Sequence, residues 1–181
     1  MTAALYEIPL KTIDGDDASL GDYRGKVLLV VNVASKCGLT PQYEGLERLY
    51  RERRGDGLEV LGFPANDFMG QEPGSEAQIK AFCQSTYEVS FPMFAKIAVT
   101  GEAMHPLYRA LVAAMPQAVG DGTMRERLRG YGIEPNPAPG IVWNFEKFLL
   151  GRDGAVVARF APDVDADDAR LRQAVDAALA A

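Results

Sequence analysis

Two cysteines, Cys37 and Cys83, are the only thiols in the chain, and a single histidine, His105, leaves no His/Cys set from which a metal cluster could be built. So few thiols do not staple a secreted scaffold; they carry out redox chemistry or act as small buried hydrophobes. For Cys37 the surroundings favour chemistry. Lys26 to Ala34 is nearly continuous in β-branched and aliphatic residues, as in a central strand covered on both faces, and Thr40-Pro41 supplies an N-cap and a first-turn proline. Cys37 is therefore expected between a buried strand and a helix N-terminus, where unpaired backbone N–H groups favour thiolate over thiol. Cys37-Gly-Leu-Thr40 has threonine where a Cys-X-X-Cys oxidoreductase places its second sulfur, which disfavours disulfide exchange of that kind. Copper delivery would want a second nearby cysteine and a ligand histidine, and no such cluster is evident.

Several elements must hold these residues. Tyr6 to Asp16 carries two short extended runs around an Asp14-Gly15 turn, which suggests a hairpin at a sheet edge. Leu58 to Phe63 reads as a second buried strand and Pro64 to Gly74 as a loop. Ser75 is an N-cap for a helix with Ile79, Phe82 and Cys83 at helical spacing. Phe91 to Ile97 is extended, and His105 to Val112 is a short helix that His105 starts. Met115 to Gly140, rich in Gly and Pro, is expected to be an exposed insertion, helical near Met124 to Leu128. Phe145 to Leu150 and Ala155 to Phe160 form a hairpin around Gly151 to Gly154, and Val164 to Ala181 is an alanine-rich helix. This order implies an α/β protein of thioredoxin-like fold: a central mixed sheet flanked by helices, with an N-terminal hairpin and an insertion near 115–140.

The whole chain sets further bounds. Its 181 residues, 48% apolar, suit one domain spanning 1–181. A net charge of -6 argues against nucleic acid or an anionic membrane surface as the main partner. The N-terminal stretch from Met1 lacks a basic and an apolar leader region, and no run is long enough to span a membrane, so a cytoplasmic protein without stable membrane association is expected. No phosphate-cradling Gly motif, Ser/His/Asp arrangement or metal-ligand spacing occurs, and no cofactor is expected.

Three segments then narrow the function. Val31-Asn-Val-Ala-Ser-Lys-Cys-Gly-Leu-Thr40, Gly62-Phe-Pro-Ala-Asn-Asp-Phe-Met-Gly-Gln71 and Trp143-Asn-Phe-Glu-Lys-Phe148 resemble, in order, the three signature segments of the glutathione peroxidase family. The resemblance runs from about Leu5 to Pro162. It puts the family's peroxidatic residue on Cys37, where many animal members have selenocysteine, and its partners on Gln71, Trp143 and Asn144. It implies an antioxidant peroxidase that reduces hydrogen peroxide and organic or lipid hydroperoxides. The chemistry suits those residue types: a thiolate attacks one peroxide oxygen, charge develops on the other, and neutral amide and indole donors stabilise both without a formal charge. The first product is a sulfenic acid on Cys37.

Phe82-Cys83 ahead of Phe91-Pro92 resembles the resolving-cysteine segment of members that use thioredoxin, which implies a Cys37–Cys83 disulfide recycled by thioredoxin. Because the two cysteines sit on different elements, that disulfide requires local unwinding around Cys83. Some members carry a third cysteine at the position of Ala65. Lys36 is read as an exposed lysine. The insertion resembles that of longer, often tetrameric, glutathione-using members, leaving reductant and oligomeric state open. Ala158-Arg-Phe-Ala161, however, lacks the paired arginines those members have there. The alternatives are a glutathione-dependent peroxidase and a peroxide sensor that relays oxidation to a partner protein.

Overall fold

A computed structural model describes residues 2–181, so Met1 of the N-terminal stretch lies outside it. The sheet is built around β3 (Val27–Val33), whose seven residues are all buried, as their unbroken apolar run requires. β3 leads into α2 (Gln42–Arg53), and the chain returns parallel in β4 (Leu58–Pro64), a β-α-β unit with Val30 paired to Leu61. On the other side of β3 lies β5 (Lys147–Leu150), antiparallel, and outside it β6 (Val156–Phe160), giving the order β4-β3-β5-β6. With α2 packed on β4 and α6 (Ala169–Ala180) on β3 and β6, this is the mixed, helix-flanked sheet expected from the sequence.

The N-terminus differs in detail. Tyr6 and Glu7 belong to a helix, α1 (Thr2–Glu7), and the hairpin is confined to β1 (Leu10–Lys11) and β2 (Asp17–Ala18). It still reaches the sheet edge, because Thr12 bridges Phe94 while Met93 bridges Gly62 of β4. Gly62 leaves room for that bridge: a Cβ would meet the Met93 sulfur at 2.5 Å and displace its side chain. Phe91 to Ile97 thus acts through single bridges rather than as a strand. α3 (Glu76–Tyr87) begins as expected, with the Ser75 and Gln78 side chains bonding reciprocally to each other's backbone N–H. α4 (Pro106–Ala114) begins at His105, whose Nδ1 accepts the Leu107 N–H at 3.1 Å. The C-terminal helix starts at Ala169, later than Val164, because Asp168 is its cap.

The insertion is less exposed than its composition suggests. α5 (Asp121–Gly130) buries Met124 and Leu128, and Val119 bonds to both sides of Phe160 on the outer edge of β6, through the Arg159 carbonyl and the Ala161 N–H. A buried ion pair fastens the rest. Arg159 Nε and Nη2 both lie 2.5 Å from Glu146 Oε2, and the same guanidinium donates to the carbonyls of Met115, Pro139 and Gly140.

Lys147 on β5 is fully buried, with its ammonium on Gln42 Oε1 at 2.7 Å and the Pro162 carbonyl at 2.8 Å. Burial pushes it down to about 7 from the usual 10.5. The unfolded chain therefore holds this proton over a range where the folded chain has released it, so Lys147 makes stability rise as pH climbs from about 7 toward 10.5. Denaturant unfolding across that range is expected to show the slope, and Lys147→Met to flatten it; an unchanged slope would place the ammonium in water.

Candidate active site

β3 ends at Val33, and the chain turns through Ser35 to Pro41 before α2 begins. Thr40 does not cap α2. Its hydroxyl accepts the Cys37 N–H at 3.0 Å and donates to the Ala34 carbonyl at 2.8 Å, closing the loop on itself. The Leu39 N–H then points at Cys37 Sγ, 3.3 Å away, so the sulfur sits on a backbone donor supplied by the turn rather than by the helix. Cys37 is buried but not sealed, 8% exposed.

The loop after β4 crosses beside this turn. The Lys36 N–H donates to the Gln71 carbonyl at 3.0 Å, which ties the residue before Cys37 to Gln71. The Asn144 amide donates to Gln71 Oε1 at 2.9 Å, a bond that leaves the donors of the Gln71 NH₂ unspent. Trp143 packs on Phe68 of the same loop, with ring centroids 5.3 Å apart, and is 7% exposed.

The 143–145 turn is held by Asn32 of β3, which the sequence did not single out. Its side-chain amide donates to the Trp143 carbonyl at 3.1 Å, and its backbone carbonyl accepts the Phe145 N–H at 2.7 Å. Phe145 takes a left-handed φ of 68°, the bend that sets the Trp143-Asn144 pair beside Gln71. A lone amide in the apolar run Val30-Val-Asn-Val33 was the signal available, since a polar group in a buried strand needs partners.

Cys83 is elsewhere. It lies on the buried face of α3, 1% exposed, and both cysteines are free thiols. Burial pushes its thiol up to about 11; the Tyr43 hydroxyl opposes that rise and Glu72 adds to it. Its carbonyl accepts the N–H groups of Glu88 and Val89 where α3 ends, with Glu88 at a left-handed φ of 52°. Between the Cys37 turn and α3 runs a cleft of about 390 Å³, walled by Ser35 and Lys36 on one side and by Gln78, Ile79 and Phe82 on the other. Lys36 is exposed, and His105 is spent on its helix start. Among the described residues no His/Cys/Asp/Glu group is arranged to hold a metal, and no helix is long and apolar enough to cross a membrane.

The Cys37 turn is thus tied to Gln71, Gln71 to Asn144, and Trp143 packs on the Gln71 loop, so one corner of the fold gathers a sulfur on a backbone donor, two amides and an indole. That set suits attack on a bond whose leaving atom gains negative charge. Residues 5–112 match the family model described as glutathione peroxidase. The thioredoxin/glutathione peroxidase BtuE of Escherichia coli K12 is 50% identical, over 99% of this chain and all of its own length. A glutathione peroxidase of Lactococcus lactis is 44% identical over 90% of this chain and 92% of its own. Among solved structures, that of T. cruzi GPX1 superposes with a TM-score of 0.71 at 32% identity, over 97% of this chain and 96% of the other. A thiol:disulfide interchange protein of the thioredoxin family from Chlorobium tepidum shares the fold at 18% identity, with a TM-score of 0.63 over 95% of this chain and 92% of its own.

Proposed function

This chain belongs to the glutathione peroxidase family and is a peroxidase, and from that premise we propose a two-cysteine cycle driven by thioredoxin. The Cys37 thiolate attacks the nearer oxygen of a hydroperoxide; the O–O bond breaks, and the leaving oxygen takes a proton to become water or an alcohol. Gln71, Asn144 and Trp143 supply the donors that stabilise the developing charge. Cys37 is left as a sulfenic acid. The Cys83 thiolate then attacks that sulfur, the S–S bond forms, and the S–O bond breaks with loss of hydroxide, which is protonated to water. Thioredoxin reduces the disulfide and returns both thiols. The substrates are hydrogen peroxide and organic or lipid hydroperoxides, and the cycle suits a cytoplasmic enzyme of the oxidative-stress response.

The observation that carries this reading is the placement of Cys83 on the wall of α3 facing away from solvent, behind Ile79 and Phe82, which line the cleft to the Cys37 turn. It lies five residues before the left-handed end of its helix, so opening of little more than the last turn frees it. A second observation weighs against a glutathione site at the β5–β6 hairpin. Arg159 is 3% exposed and bonded to Glu146 and three carbonyls, leaving it no donor for a peptide carboxylate.

Cys83→Ser is expected to lose turnover with thioredoxin, thioredoxin reductase and NADPH, yet still form the Cys37 sulfenic acid in one round, as read by a sulfenic-acid trap. Full turnover of Cys83→Ser with glutathione would instead place the chain among one-cysteine, glutathione-using enzymes. Fast Cys37 oxidation with slow turnover on either reductant would point to the relay of oxidation to a partner protein.

A further inference from the structure

Lys147 takes part in no step of the cycle, yet it stands three residues beyond Asn144 on the same segment. Its base is fixed, since it pairs with Val31 where β5 runs beside β3. Its ammonium is fully buried and bonds two neutral oxygens, Gln42 Oε1 at 2.7 Å and the Pro162 carbonyl at 2.8 Å. Gln42 Nε2 donates to that same carbonyl at 2.7 Å, which closes a triangle and holds the Gln42 amide in one orientation. A charge kept from water on neutral acceptors costs free energy that an apolar side chain of the same length would not. Stability alone therefore does not account for a lysine at this point.

Gln42 is the first residue of α2, and the Cys37 turn runs directly into it. Its N–H, one of those a helix start leaves without an intrahelical acceptor, donates to the Leu39 carbonyl at 2.9 Å. The Leu39 N–H in turn donates to Cys37 Sγ at 3.3 Å. A series of bonds thus runs from the Lys147 ammonium through Gln42 and Leu39 to the sulfur. Thr40 has a different task. Its hydroxyl takes the Cys37 N–H and its own N–H goes to the Cys37 carbonyl at 3.1 Å, so it fixes the backbone of Cys37 while the bond from Gln42 fixes Leu39. On its other side the turn is gripped by the Gln71 carbonyl at the Lys36 N–H, and Gln71 is held by Asn144. Asn144 and Lys147, close together in the chain, therefore steady the two sides of one turn.

We propose that Lys147 is a positioning residue for Cys37, fixing through Gln42 the Leu39 N–H that points at the reacting sulfur. This rests on Cys37 as the peroxidatic thiol. A donor already in place stabilises the thiolate without reorganising as charge moves onto and off the sulfur. With the clamp released, Leu39 and the first turn of α2 gain freedom, and the donor spends time in positions that miss the sulfur.

The test uses Cys83→Ser protein, in which Cys37 is the only thiol, and reads two quantities in Lys147→Met and in Gln42→Leu: the amide proton shift of Leu39 and the stopped-flow rate of Cys37 oxidation by hydrogen peroxide. In both variants the Leu39 proton is expected to move upfield while the Cys37 and Thr40 amide protons keep their shifts. Oxidation is expected to slow about tenfold, and the double variant to slow no more than either single one, because both break the same clamp. Gln42, only half-buried, provides the measurement if Lys147→Met fails to fold. A Leu39 signal and an oxidation rate unmoved in a folded variant overturn the inference, as do losses that multiply in the double variant or a shift of all three amide protons, the mark of general loosening. Failure of the premise reads differently, as a Cys37 that resists peroxide before either substitution is made.

Discussion

Cys37→Ser is expected to lower peroxide consumption by at least roughly 10³-fold with any reductant, because a hydroxyl in that position is a far weaker nucleophile near neutral pH. The turn that positions it has no other use for sulfur: the Leu39 N–H ends on Sγ, and Thr40 carries the structural bonds. Serine keeps the Cys37 N–H bond and fits the space, so folding is expected to be unaffected. Gln71→Ala and Asn144→Ala are expected to lose less, on the order of 10²-fold each, the usual effect of removing one donor from a charge-stabilising site. They share the bond between Asn144 Nδ2 and Gln71 Oε1, so the double variant should lose less than the product of the two. Peroxide consumption reads the Cys37→Ser variant, and stopped-flow oxidation of Cys37 by hydrogen peroxide reads the Gln71 and Asn144 variants before any reductant acts. Substantial peroxide turnover in Cys37→Ser would move the chemistry to another residue.

Arg159→Met is expected to destabilise the protein by roughly 3–5 kcal/mol, the cost of leaving a buried charge without its partner. Glu146 is fully buried, and its other oxygen already accepts the Val142 N–H at 2.9 Å, so it has nowhere else to turn. Three carbonyls lose their donor as well. Denaturant unfolding measures the loss, and hydrogen exchange is expected to show it spread through residues 115–140. Glu146→Leu combined with Arg159→Met should recover much of the stability, since an apolar pair of similar volume needs no desolvated charge. A cost near that of an exposed pair, below about 1 kcal/mol, would show the ion pair to be incidental.

The sheet was the most legible part of the sequence. β3 and β4 read as buried because nothing polar interrupts them for long, and α3 announced itself through Ser75 and Gln78, a signal that depends only on neighbours. Local signals also misled. Thr40-Pro41 has the composition of a helix start, yet the hydroxyl is claimed by Ala34 and Cys37, a competition visible only once the strand end is in place. Tyr6 and Glu7 read as extended although they are helical. At the site, no spacing rule joins Gln71 to Asn144; their likeness to family motifs brought them together on paper before the hydrogen bond did. Glu72 and Arg159 were harder still. An acid in a Gly-rich loop and an arginine on a hairpin carry no local sign of burial, and only long-range packing buries them.

The grip of Arg159 on the insertion also bears on how this chain can change over time. It seizes the carbonyls of Met115, Pro139 and Gly140, groups that every residue possesses. Side chains between those points can drift without loosening the clamp, provided Arg159 and Glu146 stay and Met124 and Leu128 keep something apolar beneath α5. The outer face of residues 115–140 is therefore raw material: a surface that descendants of this sequence can repaint with new charges or contacts while the reacting sulfur and its donors are left undisturbed.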